Sequence, residues 1–457
     1  MAERVLVPFS GPGEGIEQLS WGQRNMWMAI EREGKPVLLG GAVPLPAGST
    51  LDGIVRQLSF VLGRHPALRT KLVFGPDNSG PGREVRQRLF SSGELALAVV
   101  DCAGREPQAV AREVEQDYAR HEFDYETEWP VRAAVICQDG TPVWFVAIYL
   151  HVQLDGLGLQ LLIDDLADLD APPDPDVLGP LEQARWQQTP AAARQSEAAL
   201  RLWERALRTV PLQRFEQRYP TAEPAFPQLV LTSPALRLAL RRLSAELALD
   251  SSPILLGLLA VAVGRDGQPG PFLASLAVSN RFRPGLARSV SMLAQVSPCV
   301  IDVADCTLAE VFGRTRRATV AAYKYGYYDP VARLRLSDQV AAERGQKVDL
   351  SCYFSDRRLD RDPLGQQPPT EQQVLAALPG STVEWTEQLE GLAEKLYFTV
   401  ADAPDTPDAV QLRLTADARY FSREDMERLL RSIETIAVDA VRDPATSTGV
   451  SSIPVPA

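Results

Sequence analysis

The chain has three histidines, His65, His121 and His151, and the third has neighbours that chemistry could use. His151 closes an apolar run at 143–150, rich in β-branched and aromatic residues, and is followed at +4 and +5 by Asp155 and Gly156. With average usage of Asp and Gly, chance gives one of three histidines both neighbours about one time in a hundred, so this turn is where a site is sought first. An unperturbed imidazole titrates near neutrality and takes a proton readily from an attacking amine or alcohol. Asp155 has two readings on its position alone: a carboxylate capping the next helix, or a charged member of the site. Gly156 permits a backbone conformation, or a close approach, that other residues resist.

The elements that must position these residues are legible around them. The run 143–150 has strand character. Leu162, Leu166 and Leu169 recur at helical spacing after the turn, so the order is strand, short turn, helix. A loop at a strand end holds a side chain on a rigid support. Further back, Ile54, Leu58, Val61 and Leu62 mark a helix that Gly63 is expected to end. Strands are expected at 95–100 and 132–137 with a helix at 108–121 between them, and Ser20 is expected to cap a helix that starts near Trp21. That alternation describes an α/β unit. The segment DAPPDPDVLGP at 170–180 reads as a linker. After it, 181–210 reads as two helices broken at Pro190. Strands are expected at 229–231, 272–278, 349–356, 398–401 and 411–414, with 236–240 open between strand and helix. Ser252 and Pro253 mark a helix start, and helices are expected at 307–323 and 426–441. The division is therefore 1–170, a linker at 171–180, and 181–457 as a second half that repeats the architecture.

Composition narrows the function. A length of 457 residues is too great for one ordinary core, and 45% hydrophobic with 23% charged residues describes a soluble globular protein. The net charge of −12 argues against nucleic acid as a partner. The N-terminal residues lack the apolar core of a signal peptide, and the apolar run 254–263 is too short to span a bilayer, so no membrane partner is expected. Cys102, Cys137, Cys299, Cys306 and Cys352 are few, odd in number and scattered; they fit a reduced, cytoplasmic protein and give no metal spacing. There is no C-x-x-C, H-E-x-x-H or phosphate-binding loop. The glycine-rich stretch 10–15 reads as a flexible lead-in.

Several motifs, in order, resemble those of the condensation domains of nonribosomal peptide synthetases. His151-Val152-Gln153-Leu154-Asp155-Gly156 is similar to the family's HHxxxDG, with Leu150 in place of the first His. LSWGQRNMWM at 19–28 resembles its first core motif, and Arg64-His65-Pro66-Ala67-Leu68-Arg69-Thr70 its R-H-x-x-L-R-T signature. Phe123-Asp124 and Arg132 keep the spacing of an F-D-x-x-x-x-P-x-x-R segment, although Trp129 stands where the proline is expected. Asn280-Arg281-Phe282-Arg283-Pro284 resembles N-R-x-R-P. The stretch VSMLAQVSPCV at 290–300 departs from the family's G-x-F-V-N-T-x-P, keeping only Pro298 and strand character. His65 reads as structural, with Arg64 and Arg69 tying chain segments together, and His121 as a solvated helix-end residue.

The resemblance implies the chloramphenicol-acetyltransferase-like α/β fold, two similar halves in a V with a tunnel between them. It implies acyl transfer from a carrier-bound phosphopantetheine thioester to an amine, or less often an alcohol, with no cofactor bound by the protein itself. On this reading His151 is the catalytic residue. Asp155 and Gly156 shape its loop, and Arg281 pairs with Asp155 across the two halves. Leu150, Gln153, Gln295 and Ser297 are candidate channel residues, and Arg314, Arg316 and Arg317 a candidate docking patch for an acidic carrier protein, set against the plainer reading of a solvated helix face. A monomer is expected. With no room for adenylation or carrier domains, the expectation is a free-standing enzyme, or equally an excised domain. Three activities stay open: amide formation; ester formation or acylation of a small nucleophile, for which Leu150 is the cue; and recruitment of a partner enzyme without catalysis, for which the 290–300 stretch is the cue.

Overall fold

The alternation of strands and helices in the first 170 residues builds a five-stranded sheet with helices on both faces. The computed structural model describes residues 3–75, 84–220, 222–223, 225–268, 270–358, 367–386, 388–389, 391–404, 406 and 408–452. They form two compact units. The first takes in Met1–Ser196, Ser279–Gln295 and Tyr327–Val331; the second takes in Glu197–Val278, Val296–Gly326 and Ala332–Ala457.

The first unit opens with β1 (Glu3–Ser10), β2 (Gly15–Gln18), α1 (Trp21–Glu33), β3 (Leu38–Pro44) and α2 (Leu51–Arg64). There follow β4 (Thr70–Phe74), β5 (Val85–Leu89), β6 (Ser92–Asp101), α3 (Pro107–Arg120), β7 (Val131–Gln138) and β8 (Thr141–Leu150). The helices α4 (Gly156–Asp165) and α5 (Pro180–Gln187) complete the run, and α6 (Pro190–Thr209) starts in this unit with most of its length assigned to the second. The large sheet has the order β1-β6-β7-β8-β3, and β2, β5 and β4 make a small antiparallel sheet. Strand periodicity decides what each face buries. Ala147 and Tyr149 of β8 join Leu58 and Leu62 of α2 and Leu162 of α4 on one side. Val146 faces Val110 and Ala111 of α3 on the other.

The second unit holds β9 (Gln228–Ser233), α7 (Pro234–Leu247), α8 (Ser251–Arg265), β10 (Phe272–Val278), β11 (Gln295–Ile301), α9 (Leu308–Lys324) and α10 (Pro330–Arg344). It continues with β12 (Cys352–Asp356), α11 (Glu371–Ala377), β13 (Thr382–Trp385), β14 (Leu396–Asp402), β15 (Val410–Ala416) and α12 (Arg423–Arg442). The seven strands run β11-β10-β12-β14-β15-β9-β13. One face, carrying Leu276, Phe354, Phe398 and Leu412, packs on α7, α8, α9 and α12. Helix α8 is apolar on every side, and Ile254 to Val263 are all buried, as such a helix requires. No helix among the described residues is long and apolar enough to cross a membrane, and the apolar pair α7 and α8 is bent by 111°.

Local readings differ from the structure in instructive places. Gly63 does not end its helix, which runs on to Arg64. A Cβ on Gly63 would stand 2.6 Å from the Ser10 carbonyl oxygen, so this glycine admits a neighbouring strand. The glycine-rich stretch 10–15 is likewise packed: a Cβ on Gly11 would stand 2.0 Å from the Gly63 carbonyl. Residues 236–240 are helical, because Ser233 caps the Leu236 N–H and Pro234 starts the turn. The cap of α8 is Asp250, with Pro253 inside the first turn, where no N–H is required of it. Segment 181–196, placed after the linker by sequence, packs within the first unit, as does the 279–295 loop.

Candidate active site

The His151 turn is built by the two elements it joins. Strand β8 lies between β7 and β3, with Leu150 opposite Leu38. The His151 N–H continues that pairing to the Val37 carbonyl at 3.0 Å, and the Gln153 N–H closes the turn on Leu150 O at 3.0 Å. The half-buried imidazole has its Nδ1 2.9 Å from the Leu154 carbonyl oxygen. A carbonyl only accepts, so this bond requires the proton on Nδ1 and leaves the lone pair on Nε2. That is the tautomer a proton acceptor needs.

Asp155 serves both functions its position allowed. Its Oδ1 accepts from the Gly158 N–H at 2.8 Å, capping α4. Its Oδ2 accepts from the Leu293 N–H at 3.0 Å and the Ala294 N–H at 2.9 Å. Arg281 closes the set, with Nη1 2.9 Å from Oδ2 and Nη2 2.8 Å from Oδ1. Arg281 also donates to the Ser289 and Ser291 carbonyls at 3.0 and 3.2 Å. Asp155 is 2% exposed and Arg281 7%. A carboxylate buried this far must be paired and hydrogen-bonded, and this one is. With its lone pairs so engaged, Asp155 is a structural anchor and not an acid or base. Both partners belong to the first unit, whereas the sequence placed them in different halves.

The other candidate residues have structural placements. Leu150 lies in an apolar cluster with Trp27, Ile148 and Val152, which explains why a leucine is at home there. Gln153 is buried and accepts from Gln23 Nε2 at 3.0 Å. Gln23 Nε2 also donates to Gln87 Oε1 at 3.1 Å, and Gln87 Nε2 to the Gln18 and Pro180 carbonyls at 2.9 and 3.1 Å. A relay of buried amides therefore ties the histidine turn to the start of α1. Gln295 is buried with both ends of its amide on the Tyr328 backbone, at 2.9 and 3.3 Å. Ser297 is fully buried and its hydroxyl has no partner among the described residues. Arg314 reaches the Asp302 carbonyl at 2.8 Å, while Arg316 and Arg317 stand exposed on α9 of the second unit.

Around the turn, the Arg64–Thr70 segment is a fastening. Arg64 donates to Asp165 Oδ2 and the Ala171 carbonyl, both at 2.8 Å, and Arg69 reaches the Phe90 and Pro12 carbonyls. Burial pushes the His65 imidazole down to about 4, against the pull of Asp165 and with Arg64, Arg288 and Arg69 reinforcing it. Trp129 keeps its place through aromatic contacts at 5.0 Å to Phe9 and 5.6 Å to Phe90, and its Nε1 donates to Glu94 O at 2.8 Å. Sequence reasoning missed the Gln23 and Gln87 relay, although Ser20-x-x-Gln23 has the spacing of a capping box, and the box is present. It also missed Leu293 and Ala294. They act through backbone N–H groups, which leave no trace in residue type.

A family model described as condensation domain matches residues 50–454. The isonitrile lipopeptide synthase of Mycobacterium tuberculosis is 26% identical over 337 residues, which are 67% of this chain and 13% of that protein. The probable non-canonical nonribosomal peptide synthetase CymA of Salinispora arenicola is 32% identical over 168 residues, 36% of this chain and 2% of that protein. The chain thus matches only a small part of the length of either curated relative. The condensation domain from the Monacolin K polyketide synthase MokA superposes with a TM-score of 0.73 at 17% identity, over 96% of this chain and all of that one. The X-domain from teicoplanin biosynthesis gives 0.68 at 16% identity, over 96% and 97%. At such identities the likeness is one of fold, the mixed α/β architecture of two chloramphenicol-acetyltransferase-like halves.

Proposed function

The chain belongs to the condensation-domain family, and from that premise we propose that it is an acyltransferase acting in nonribosomal peptide or related natural-product biosynthesis. Its donor is an acyl or aminoacyl group held as a thioester on the phosphopantetheine arm of a carrier protein, and its acceptor is an amine. The nitrogen attacks the thioester carbonyl, His151 Nε2 accepts the proton that the nitrogen sheds, and the thiolate leaves and takes up a proton. Thioester aminolysis is downhill, so no nucleotide is consumed. The observation that supports this reading is the His151 tautomer, set by the Nδ1 bond to the Leu154 carbonyl in a turn anchored through Asp155. Holding both substrates against one imidazole supplies orientation, which is worth several powers of ten in rate.

A second reading, an ester-forming or small-molecule-acylating relative, draws on Leu150 standing where the family's first histidine is expected. A third reading, recruitment of a partner enzyme without catalysis, draws on the departure of the 290–300 stretch from the family's motif, where Ser289, Ser291, Leu293 and Ala294 hold Asp155 and Arg281 through their backbones. The test needs no guess about substrate. Tagged protein is recovered from the extract of its native host, and what accompanies it is identified by mass spectrometry. A carrier protein with a loaded phosphopantetheine arm is the expected companion, and the mass of the load names the donor. A tailoring enzyme without any carrier would overturn the proposal.

A further inference from the structure

One face of the small sheet carries a charge pattern that the fold does not use. Strand pairing among β2, β5 and β4 sets Ile16, Arg88 and Lys71 side by side, and Gln18, Arg86 and Val73 two residues along on the same face. The residues between them turn inward, where Leu72, Val85 and Gln87 are buried. On the outer face Arg86 and Arg88 are exposed, and Ile16 is 42% exposed. Neither arginine has a hydrogen bond or ion pair with another described residue, although Arg88 lies over the Phe90 ring at 4.7 Å. Lys71 is drawn aside: its Nζ donates to the Thr127 carbonyl and stands 4.0 Å from the Trp129 ring centre, with Asp124 and Glu128 attracting it from the flank. Like charges directly opposite each other across an antiparallel pair destabilise it, and Arg88 is opposite Lys71. No carboxylate is among these six residues, in a chain whose net charge is −12. The pattern therefore weakens the sheet, and among the described residues the two arginines neutralise no carboxylate.

We propose that this face, through Arg86 and Arg88, docks an acidic helix on the surface of the carrier protein. The inference rests on the carrier-thioester reading given above and adds where the body of the carrier, as distinct from its arm, is held. Two residues apart on one strand, the arginines are spaced about 6.5–7 Å. Carboxylates one turn apart on a helix are spaced about 5–6 Å, so a single acidic helix face meets both. Each guanidinium can take a carboxylate through two parallel N–H bonds. Ile16, beside Arg88, offers the partner an apolar contact in the same row. A membrane fits less well, because a polybasic membrane site clusters about four to eight cations. This face has three, one of them held against Trp129.

The probe is the carrier protein recovered in the experiment above, prepared without its phosphopantetheine arm so that only its protein surface is read. It is labelled and titrated by fluorescence anisotropy. The wild type is expected to bind it with an affinity that falls as salt is raised. Arg86→Glu with Arg88→Glu is expected to weaken binding about tenfold or more, because attraction becomes repulsion at both positions. That variant is expected to unfold at the wild-type temperature or above it, since a like-charge contact has been removed. Arg316→Glu with Arg317→Glu, on α9, is expected to bind as the wild type does. Wild-type affinity in the Arg86/Arg88 variant would overturn the inference and leave the acyltransferase reading standing. Equal weakening in the α9 variant would also overturn it, as a general effect of charge. So would failure of the armless carrier to bind at all while the loaded carrier is discharged, which would leave the arm as the only hold. Loss of binding to phosphatidylserine vesicles in the Arg86/Arg88 variant, with carrier binding intact, would assign the face to a membrane instead. Absence of any carrier among the recovered proteins would remove the carrier-thioester reading and the inference with it.

Discussion

Replacing Arg281 by methionine removes the only cation paired, among the described residues, with a carboxylate that is 2% exposed. Asp155 then keeps three backbone donors, from Gly158, Leu293 and Ala294, but holds an uncompensated buried charge. The carbonyls of Ser289 and Ser291 lose their Arg281 donor as well. Breaking a buried ion pair from one side costs about 3–5 kcal/mol. For a unit of this size, each kcal/mol moves the midpoint by about 2–4 °C, so a fall of roughly 6–20 °C is expected. Tryptophan fluorescence is a suitable probe, because Trp21, Trp27, Trp129, Trp144 and Trp186 lie in the first unit and only Trp203 and Trp385 in the second. Pairing Arg281→Met with Asp155→Asn removes the stranded charge, so the double variant is expected to be more stable than the sum of the two losses by about 2 kcal/mol. An unfolding midpoint for Arg281→Met within 2 °C of wild type (roughly 1 kcal/mol or less), or strict additivity in the cycle, would refute the reasoning.

Further outcomes follow from buried groups. His65 ionises near 4 in the folded chain and near 6.5 when unfolded, so the unfolded state binds the proton first as pH falls. The stability it contributes is complete above about pH 6.5 and is lost progressively down to about pH 4, a loss on the order of 3 kcal/mol. In urea titrations across that range His65→Gln is expected to lose correspondingly less, and an unchanged slope would remove His65 as the cause. All five cysteines are buried, and burial pushes the Cys299 and Cys352 thiols up to about 12. A thiol reagent is therefore expected to label the native protein slowly and all five positions after denaturation; rapid native labelling at Cys299 would contradict that burial. Gln23→Leu leaves Gln153 and Gln87 without their shared donor and is expected to cost about 2–3 kcal/mol, read from the same fluorescence transition.

What the sequence made legible was whatever depends on residue type and period. The strand before His151, the helix after it and Phe272–Val278 stand where their patterns put them. The Asp155–Arg281 pair follows from the resemblance, since each residue sits in its own recognisable motif. Backbone-mediated contacts were not legible. Leu293 and Ala294 hold Asp155 through N–H groups that any non-proline residue supplies, so the weakly matching 290–300 stretch conceals a well-made anchor. Gly63 and Gly11 were misread for a related reason. A glycine that ends a helix and one that admits a neighbouring backbone look alike in sequence, and only the position of the other strand separates them. Leu150, Gln153, Gln295 and Ser297 are all buried, which depends on the whole fold and cannot be read from the motifs beside them.

The most direct measurement is single-turnover acyl transfer from the loaded carrier to an amine, followed by intact-protein mass spectrometry. Wild type, His151→Ala and Asp155→Asn would be compared, with folded protein verified for each. Loss of a positioned general base costs about 10²–10⁴-fold, so His151→Ala is expected to leave the carrier loaded over times in which the wild type discharges it. Discharge by His151→Ala at the wild-type rate, with amide product formed, would contradict the assignment of His151 as the residue through which this chain transfers an acyl group.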